Sequence, residues 1–349
     1  MTKLKVVQIG AGNFGQIWLD YVQQVEEVEL VAVADVMESN LEEARQRLQG
    51  SGVGFYLDPV EAMRASGADI ALLVTPPHTH LDLTVAAVAS GLHVLMEKPI
   101  AGSLADAVKI AEFAKTANRR IMVNQNYRWK PENEAIRAAV SAGVVGPIEQ
   151  VEWRFARNHR SVNFATGWRS QFGDIFLREM GIHHIDLMRH WLGTSPVSVY
   201  AENANPTWSW IPGGGTANAL LRFDGGISVS YAGSWVNRGQ DTSWTGDVRL
   251  IGSLGAIELT DGVPSIVWED ERREQLPVEP MKYTELAYSL YELTQAIREA
   301  REPVTNASDN LLSWLTICAA AESDRLGAAV RIDTVGASFQ IYNQKGSSN

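Results

Sequence analysis

The feature that most constrains this chain is Gly10-Ala11-Gly12-Asn13-Phe14-Gly15, which directly follows the apolar run Lys5-Val6-Val7-Gln8-Ile9. An apolar strand turning through closely spaced glycines into a helix is a device for gripping a pyrophosphate. Gly10 permits the tight turn, Gly12 lets backbone approach the phosphates, and Gly15 lets helix and strand pack closely. Free N–H groups at the helix start, around Asn13 and Phe14, then hold the anion. Ile17, Tyr21 and Val25 continue at helical spacing, and Leu30-Val31-Ala32-Val33-Ala34-Asp35 reads as the next strand. Asp35 stands 20 residues after Gly15, where a carboxylate accepts hydrogen bonds from the adenosine ribose. Val36-Met37-Glu38 follows without an arginine to meet a 2′-phosphate, so NAD is expected in preference to NADP. The competing reading is a glycine turn that holds no ligand.

Residues 1–124 alternate strand and helix, which predicts an α/β Rossmann domain, a doubly wound parallel sheet with helices on both faces. Ser39-Asn40-Leu41-Glu42 reads as a capping box opening a helix that turns Leu41, Ala44 and Leu48 inward. Ile70-Ala71-Leu72-Leu73-Val74 is a fourth strand, ending at Thr75-Pro76-Pro77-His78-Thr79-His80. Open α/β sheets place ligands at such carboxyl ends, which makes Thr75, Pro76 and His80 cofactor-binding candidates. His93-Val94-Leu95-Met96 leads into Glu97-Lys98-Pro99, Ser103 opens a helix with Leu104, Val108 and Ala111 inward, and Ile121-Met122-Val123-Asn124 closes the domain.

Residues 125–349 follow a different grammar and predict an α+β domain for substrate binding and oligomerisation, built on a large, mainly antiparallel open sheet. A helix from about Asn133 ends at Gly143, and strands are expected over 148–155, 197–202, 217–223, 227–235, 247–251 and 256–259. Helical patterning returns over 283–300 and 309–327, and the last residues, 344–349, read as frayed. A second subunit is expected over one face of the sheet.

A length of 349 residues allows two domains, each with its own core. The formal net charge of -11 sets up a field that repels nucleic acid and anionic membrane surfaces and points to a small, neutral substrate. A single cysteine, Cys318, lies in an apolar run and has no internal partner for a disulfide, so a reducing cytoplasmic setting is expected. The first strand begins too early to leave room for a secretory leader, and no apolar run approaches a membrane span. Nine of the 11 tryptophans fall between Trp153 and Trp314; core or interface packing explains most of them as well as sugar stacking does, and none is assigned.

Lys98 lies just past a strand end, where the nicotinamide half of a dinucleotide should arrive. An ammonium there can hydrogen-bond a reacting oxygen and help to move a proton; a surface lysine in a turn is the alternative. The second cluster is Glu179-Met180-Gly181-Ile182-His183-His184-Ile185-Asp186, in which Ile182, Ile185, Met188 and Leu192 make an apolar helical face. Four residues apart on a helix, Glu179 and His183 share a side, so the carboxylate can hold the imidazole in one tautomer and stabilise its protonated form. A zinc site of Glu179, His183 and Asp186 is a weaker rival, lacking cysteines or a further spaced histidine, and a core histidine satisfied by its neighbour is another. No metal is expected.

Together the glycine motif, Asp35, the Thr75–His80 loop, Glu97-Lys98-Pro99 and Gly181-Ile182-His183-His184-Ile185-Asp186 resemble the glucose-fructose oxidoreductase / inositol dehydrogenase / rhizopine catabolism (Gfo/Idh/MocA) family over essentially the whole chain. Glu97-Lys98-Pro99 is the specific element. The resemblance implies NAD(P)-dependent oxidation of a hydroxyl on a sugar, cyclitol or related polyol, with Lys98 and His183 at the site. It adds Glu97, Lys98 and Arg169 to the cofactor-binding candidates. It makes Arg128 and His184, with Lys98 and His183, the substrate-binding set, and it implies a homodimer or homotetramer. It also leaves open an NAD-binding protein without net turnover, a regulator or an NAD-dependent glycosidase. Two departures stand out: Glu179 replaces the family's aspartate, and Gly173-Asp174-Ile175-Phe176-Leu177-Arg178 lacks the usual run of glycines.

Overall fold

The computed structural model describes residues 2–160 and 168–337; the fraying expected for 344–349 lies outside them. The chain begins β1 (Leu4–Ile9), α1 (Asn13–Gln24), β2 (Val28–Ala34), α2 (Glu38–Arg47), β3 (Gly54–Tyr56), α3 (Pro59–Ala65), β4 (Ile70–Leu73), α4 (His80–Ala89), β5 (His93–Met96), α5 (Leu104–Thr116) and β6 (Ile121–Val123). It continues through α6 (Pro131–Ser141), β7 (Ile148–Ala156), α7 (Ile182–Leu192), β8 (Pro196–Ala204), β9 (Thr216–Phe223), β10 (Ser228–Ser234), β11 (Asp247–Gly252), β12 (Gly255–Thr260), β13 (Val263–Trp268) and β14 (Arg273–Gln275). It ends with α8 (Glu285–Arg298), α9 (Ala307–Leu326), β15 (Val330–Arg331) and α10 (Ile332–Ala337).

Two compact units result, residues 1–129 with 281–311 and residues 130–280 with 312–349. This differs from the continuous division at 124/125, because α8 belongs with the first unit. Its Leu286, Ala287, Leu290 and Leu293 pack with Trp18, Val22, Val25 and Leu72 in one buried cluster, each large apolar side chain contributing roughly 1.5–3 kcal/mol. A linear reading cannot see a helix return across so many residues.

The first unit is a parallel sheet in the order β3-β2-β1-β4-β5-β6, buried on both faces as its apolar strands require. Helix α1 turns Gly15, Trp18, Leu19 and Val22 inward, whereas Ile17, expected inside, is 45% exposed. Trp18, one residue on, takes the inward place against α8 instead. The capping box at Ser39 is likewise not used: α2 starts at Glu38, after Met37, with no side-chain cap. Ser103 does cap α5, accepting from the Asp106 N–H, but Ala107, Ile110 and Ala111 form the buried side while Leu104 and Val108 are half-buried.

The second unit carries a sheet in the order β14-β13-β12-β11-β7-β10-β9-β8-β15. It is antiparallel except where β10 runs parallel to β7. Strict alternation of buried and exposed residues along β9 and β10 leaves one face against the core and one open. Helix α7 departs from the amphipathic expectation. From Ile182 to Arg189 every residue is buried, including both histidines, so its polar groups must find partners inside the protein. It is preceded by a π-helical turn, Leu177–Gly181, a rare form that is frequent at functional sites.

Candidate active site

At the carboxyl edge of the first sheet, the glycines behave as their positions demand. Gly10 has φ +100°, and a Cβ there would stand 2.2 Å from the Val74 carbonyl oxygen; at Gly15 it would stand 2.4 Å from the Gly10 oxygen. Neither position can carry a side chain without moving backbone. Over Gly12 the space is open, the nearest atom to a built Cβ being Asn40 Nδ2 at 3.9 Å. Gly12 caps α1 with no side-chain acceptor, so the first-turn N–H groups next to Asn13 and Phe14 face that open space uncapped, as an anion site needs. Gln8, buried within β1, holds the turn by donating from Nε2 to the Gly10 and Gly15 oxygens, both at 2.9 Å. Asp35, 8% exposed, accepts from the Ala11 N–H at 2.7 Å and the Met37 N–H at 2.8 Å. Each carboxylate oxygen can accept a second hydrogen bond, so the group that orders the loop can also take ribose hydroxyls. These residues fit a dinucleotide.

Two further strand ends meet on this edge. His80 bridges them: its Nε2 lies 3.0 Å from the Thr75 oxygen and its Nδ1 3.3 Å from the Ile100 oxygen. Burial pushes its imidazole down to about 4, so at neutral pH it is an uncharged tie rather than a proton carrier. Pro76 is exposed on the same loop. Glu97 is buried, and its Oε1 accepts from Trp18 Nε1 and Asn124 Nδ2, both at 2.7 Å, while Oε2 accepts the Lys98 N–H at 3.1 Å. Burial raises its pKa, and the Lys98 charge and the donated hydrogen bonds pull the other way. Glu97 thus ties the Lys98 backbone to α1 and β6. Lys98 is half-buried and joined to Pro99 by a cis peptide bond. Arg128 is buried in the same unit and pairs with Asp309 at 2.9 Å. Sequence reasoning missed Trp18, Asn124 and Gln8; the available signal was a polar group inside an otherwise apolar strand or helix face.

In the second unit, Glu179 occupies the π-helical turn and His183 the first turn of α7; both are buried. Glu179 Oε2 accepts from Arg169 Nη2 at 3.2 Å and Nε at 3.3 Å. The structure therefore brings Arg169, expected at the cofactor, onto the carboxylate expected to orient His183. His184 is placed differently from the expectation that it binds substrate. It is wholly enclosed, with Nδ1 2.8 Å from the Tyr231 hydroxyl and Nε2 3.5 Å from the Trp244 oxygen, among Trp153, Phe155 and Tyr231. Burial pushes its pKa down to about 3. It packs among these rings, about 100° around the helix from His183. Asp186, part of the zinc alternative, accepts from Ser313 Oγ at 3.0 Å. Among the described residues no group of three His, Cys, Asp and Glu side chains is arranged to hold a metal, and no helix is long and apolar enough to cross a membrane.

Comparison with known proteins agrees with both halves. Residues 4–125 match the oxidoreductase family with the NAD-binding Rossmann fold, and residues 133–258 match the Gfo/Idh/MocA C-terminal domain. The chain is 28% identical to the y4oX protein of Sinorhizobium fredii, covering 97% of this chain and 98% of that one. It is 26% identical to the D-apiose dehydrogenase of Rhizobium rhizogenes over 95% of this chain and 98% of the relative. An oxidoreductase from Agrobacterium radiobacter, solved with NAD+, L-tartaric acid and magnesium, shares the fold with a TM-score of 0.84 at 21% identity, covering 95% of this chain and 99% of that one. The glycine cradle, the Glu97-Lys98-Pro99 strand end and the matched second domain agree: this chain belongs to the Gfo/Idh/MocA family of oxidoreductases and carries its NAD-binding Rossmann domain.

Proposed function

We propose that the protein is an NAD-dependent dehydrogenase acting on a hydroxyl-bearing carbon of a sugar, cyclitol or related polyol. The observation that carries this reading is Lys98. It is a half-buried lysine whose backbone N–H is held by Glu97 at the end of β5, on the sheet edge that also presents the glycine turn after β1. A protein that only bound dinucleotide would have no use for a cation fixed there. The similarity to D-apiose dehydrogenase supports a sugar as substrate.

When bound, NAD supplies the acceptor for the hydrogen and electron pair that leave the substrate carbon. Gly12, Asn13 and Phe14 would hold the pyrophosphate by backbone N–H groups at the start of α1, with Gly10 and Gly15 shaping the turn, and Asp35 would take the ribose. Thr75, Pro76, His80 and Glu97 shape the neighbouring edge. His183 takes the hydroxyl proton, Glu179 and Arg169 fix the ground from which it acts, and Lys98 stabilises the oxygen as charge develops on it. Arg128 serves the substrate side. The enzyme works in the cytoplasm as a homodimer or homotetramer; the open sheet face, where Leu220 is 61% exposed, supports assembly, and light scattering tests it.

The test is a screen of sugars and cyclitols following absorbance of reduced nicotinamide. Accumulation of NADH supports the dehydrogenase. Released aglycone without NADH would replace it with a glycosidase, and NAD binding with neither would replace it with a regulator.

A further inference from the structure

The chain is acidic overall, yet one end of the second sheet gathers cations and indoles. Strands β7 and β10 run parallel and end together, and the segments that leave them continue to pair: Arg157 N–H to the Ser234 oxygen at 2.9 Å, His159 N–H to the Trp235 oxygen at 3.1 Å, Asn237 N–H to the Arg157 oxygen at 3.2 Å. The loop before β11 is pinned to the same place, with Thr242 N–H on the Ala156 oxygen at 2.8 Å and Asp241 Oδ1 accepting the Asn158 N–H at 3.1 Å. This is a fixed platform of backbone hydrogen bonds, not a loose loop.

On it stand three arginines. The Arg157 guanidinium lies 4.4 Å from the centroid of Trp244 and donates to the Thr242 oxygen at 2.7 Å; Arg160 lies 5.8 Å from Trp210, and Arg238 lies 4.9 Å from Trp208, an indole 47% exposed. Elsewhere in this unit arginines commonly pair with carboxylates, as Arg154, Arg169, Arg178 and Arg249 do. Among the described residues no carboxylate comes within ion-pair distance of Arg157, Arg160 or Arg238. Asp241 is the acidic residue of these segments, and it is spent on the Asn158 and Asn237 amides. The local charge is therefore opposite in sign to that of the chain. His159, 5.0 Å from Trp244 and beside Arg157, has its pKa lowered by burial and by that guanidinium. The platform also packs against α7 within this unit, the Trp244 carbonyl lying 3.5 Å from His184 Nε2.

Guanidinium groups held on aromatic faces, with N–H donors left over, recognise a carboxylate or phosphate, and exposed indoles cover the apolar face of a sugar ring. We propose that Arg157 and Arg238, with Trp208 and Trp244, form an anion-binding subsite, and that the substrate is a sugar carrying an acidic group rather than a neutral one. This deepens the dehydrogenase reading and rests on it for the word substrate. It replaces the neutral substrate expected from net charge, since a ligand responds to the field where it binds.

The test is calorimetric binding to the full chain, with and without NAD, of glucose, galactose and mannose, each beside its uronate and its 6-phosphate. At least one acidic member should bind about 10- to 100-fold tighter than its neutral partner, the range of a charge-assisted hydrogen bond, and weaken as salt is raised. Arg157→Gln and Arg238→Gln should each remove most of that advantage; Arg238 is exposed, so its variant is expected to keep the fold even where the Arg157 change disturbs it. A uronate preference assigns a carboxylate and a 6-phosphate preference a phosphate. Equal or tighter binding of every neutral sugar, or an acidic preference unchanged in both variants, overturns the subsite. Neutral sugars oxidised while no acid is preferred would sink this inference and leave the dehydrogenase standing. Acids bound through these arginines with no sugar oxidised would do the reverse.

Discussion

Glu97 offers a quantitative test of how Lys98 is held. In Glu97→Ala, the buried donors Trp18 Nε1 and Asn124 Nδ2 lose the oxygen that now lies 2.7 Å from each. An unsatisfied buried donor costs about 1–3 kcal/mol. Allowing for the small cavity as well, the loss is on the order of 4 kcal/mol. Glu97→Gln keeps one oxygen for both donors and gives up the charge, so about 1–2 kcal/mol is expected. The pH dependence has a definite sign. Burial holds the Glu97 carboxyl above the usual carboxylate range, so the folded chain keeps this proton where the unfolded chain has lost it, and stability falls as pH rises through that window. Glutamine has no such penalty, so the deficit of the Glu97→Gln variant should narrow as pH rises. Urea unfolding followed by tryptophan emission measures both, with the first unit's transition identified by its shift on adding NAD. A Glu97→Ala protein within about 1 kcal/mol of wild type, or a Glu97→Gln deficit that widens with pH, would refute the tie.

Lys98→Ala should bind NAD nearly as the wild type does and lose about 10²- to 10⁴-fold in turnover, read by steady-state kinetics beside direct NAD titration. Asp35→Ala, which frees the Ala11 and Met37 N–H groups as well as the ribose contact, should weaken NAD by about 10- to 100-fold; cofactor kinetics that favour NADP over NAD in the wild type would contradict the assignment of Asp35. His80, held near 4, and His184, held near 3, stay neutral in the fold. The unfolded chain takes up their protons first, so stability present above about pH 6.5 is lost as pH falls towards 4. For His80 this amounts to roughly 3 kcal/mol, and urea midpoints at pH 7 and pH 5 should show the fall.

Short-range rules made the parallel sheet, the glycine turn and Asp35 readable, because a tight turn, a strand period and a helix start are local demands on backbone. Long-range packing was not readable. Nothing in 283–300 announces that its apolar face belongs to a core built from residues near 20 and 70. The inward stripe of α1 was misplaced by one residue because Ile17 and Trp18 are both apolar and the core they could join includes the distant α8, and so Trp18, the donor to Glu97, went unseen. At His183-His184 the pair was legible, but which imidazole is packed away follows from Trp153, Phe155 and Tyr231, brought in by other strands. Net charge is a blunt guide to a ligand for a related reason: it sums over a surface that a ligand never samples as a whole.

The most direct measurement is turnover of the best substrate by Lys98→Ala, His183→Ala and the variant with both changes. Two groups working on one substrate oxygen in a single step should each lose about 10²- to 10⁴-fold, and the combined variant should be scarcely worse than the weaker single one, as residues acting as a unit behave. Losses that multiply, or a single variant that retains full turnover, would contradict it.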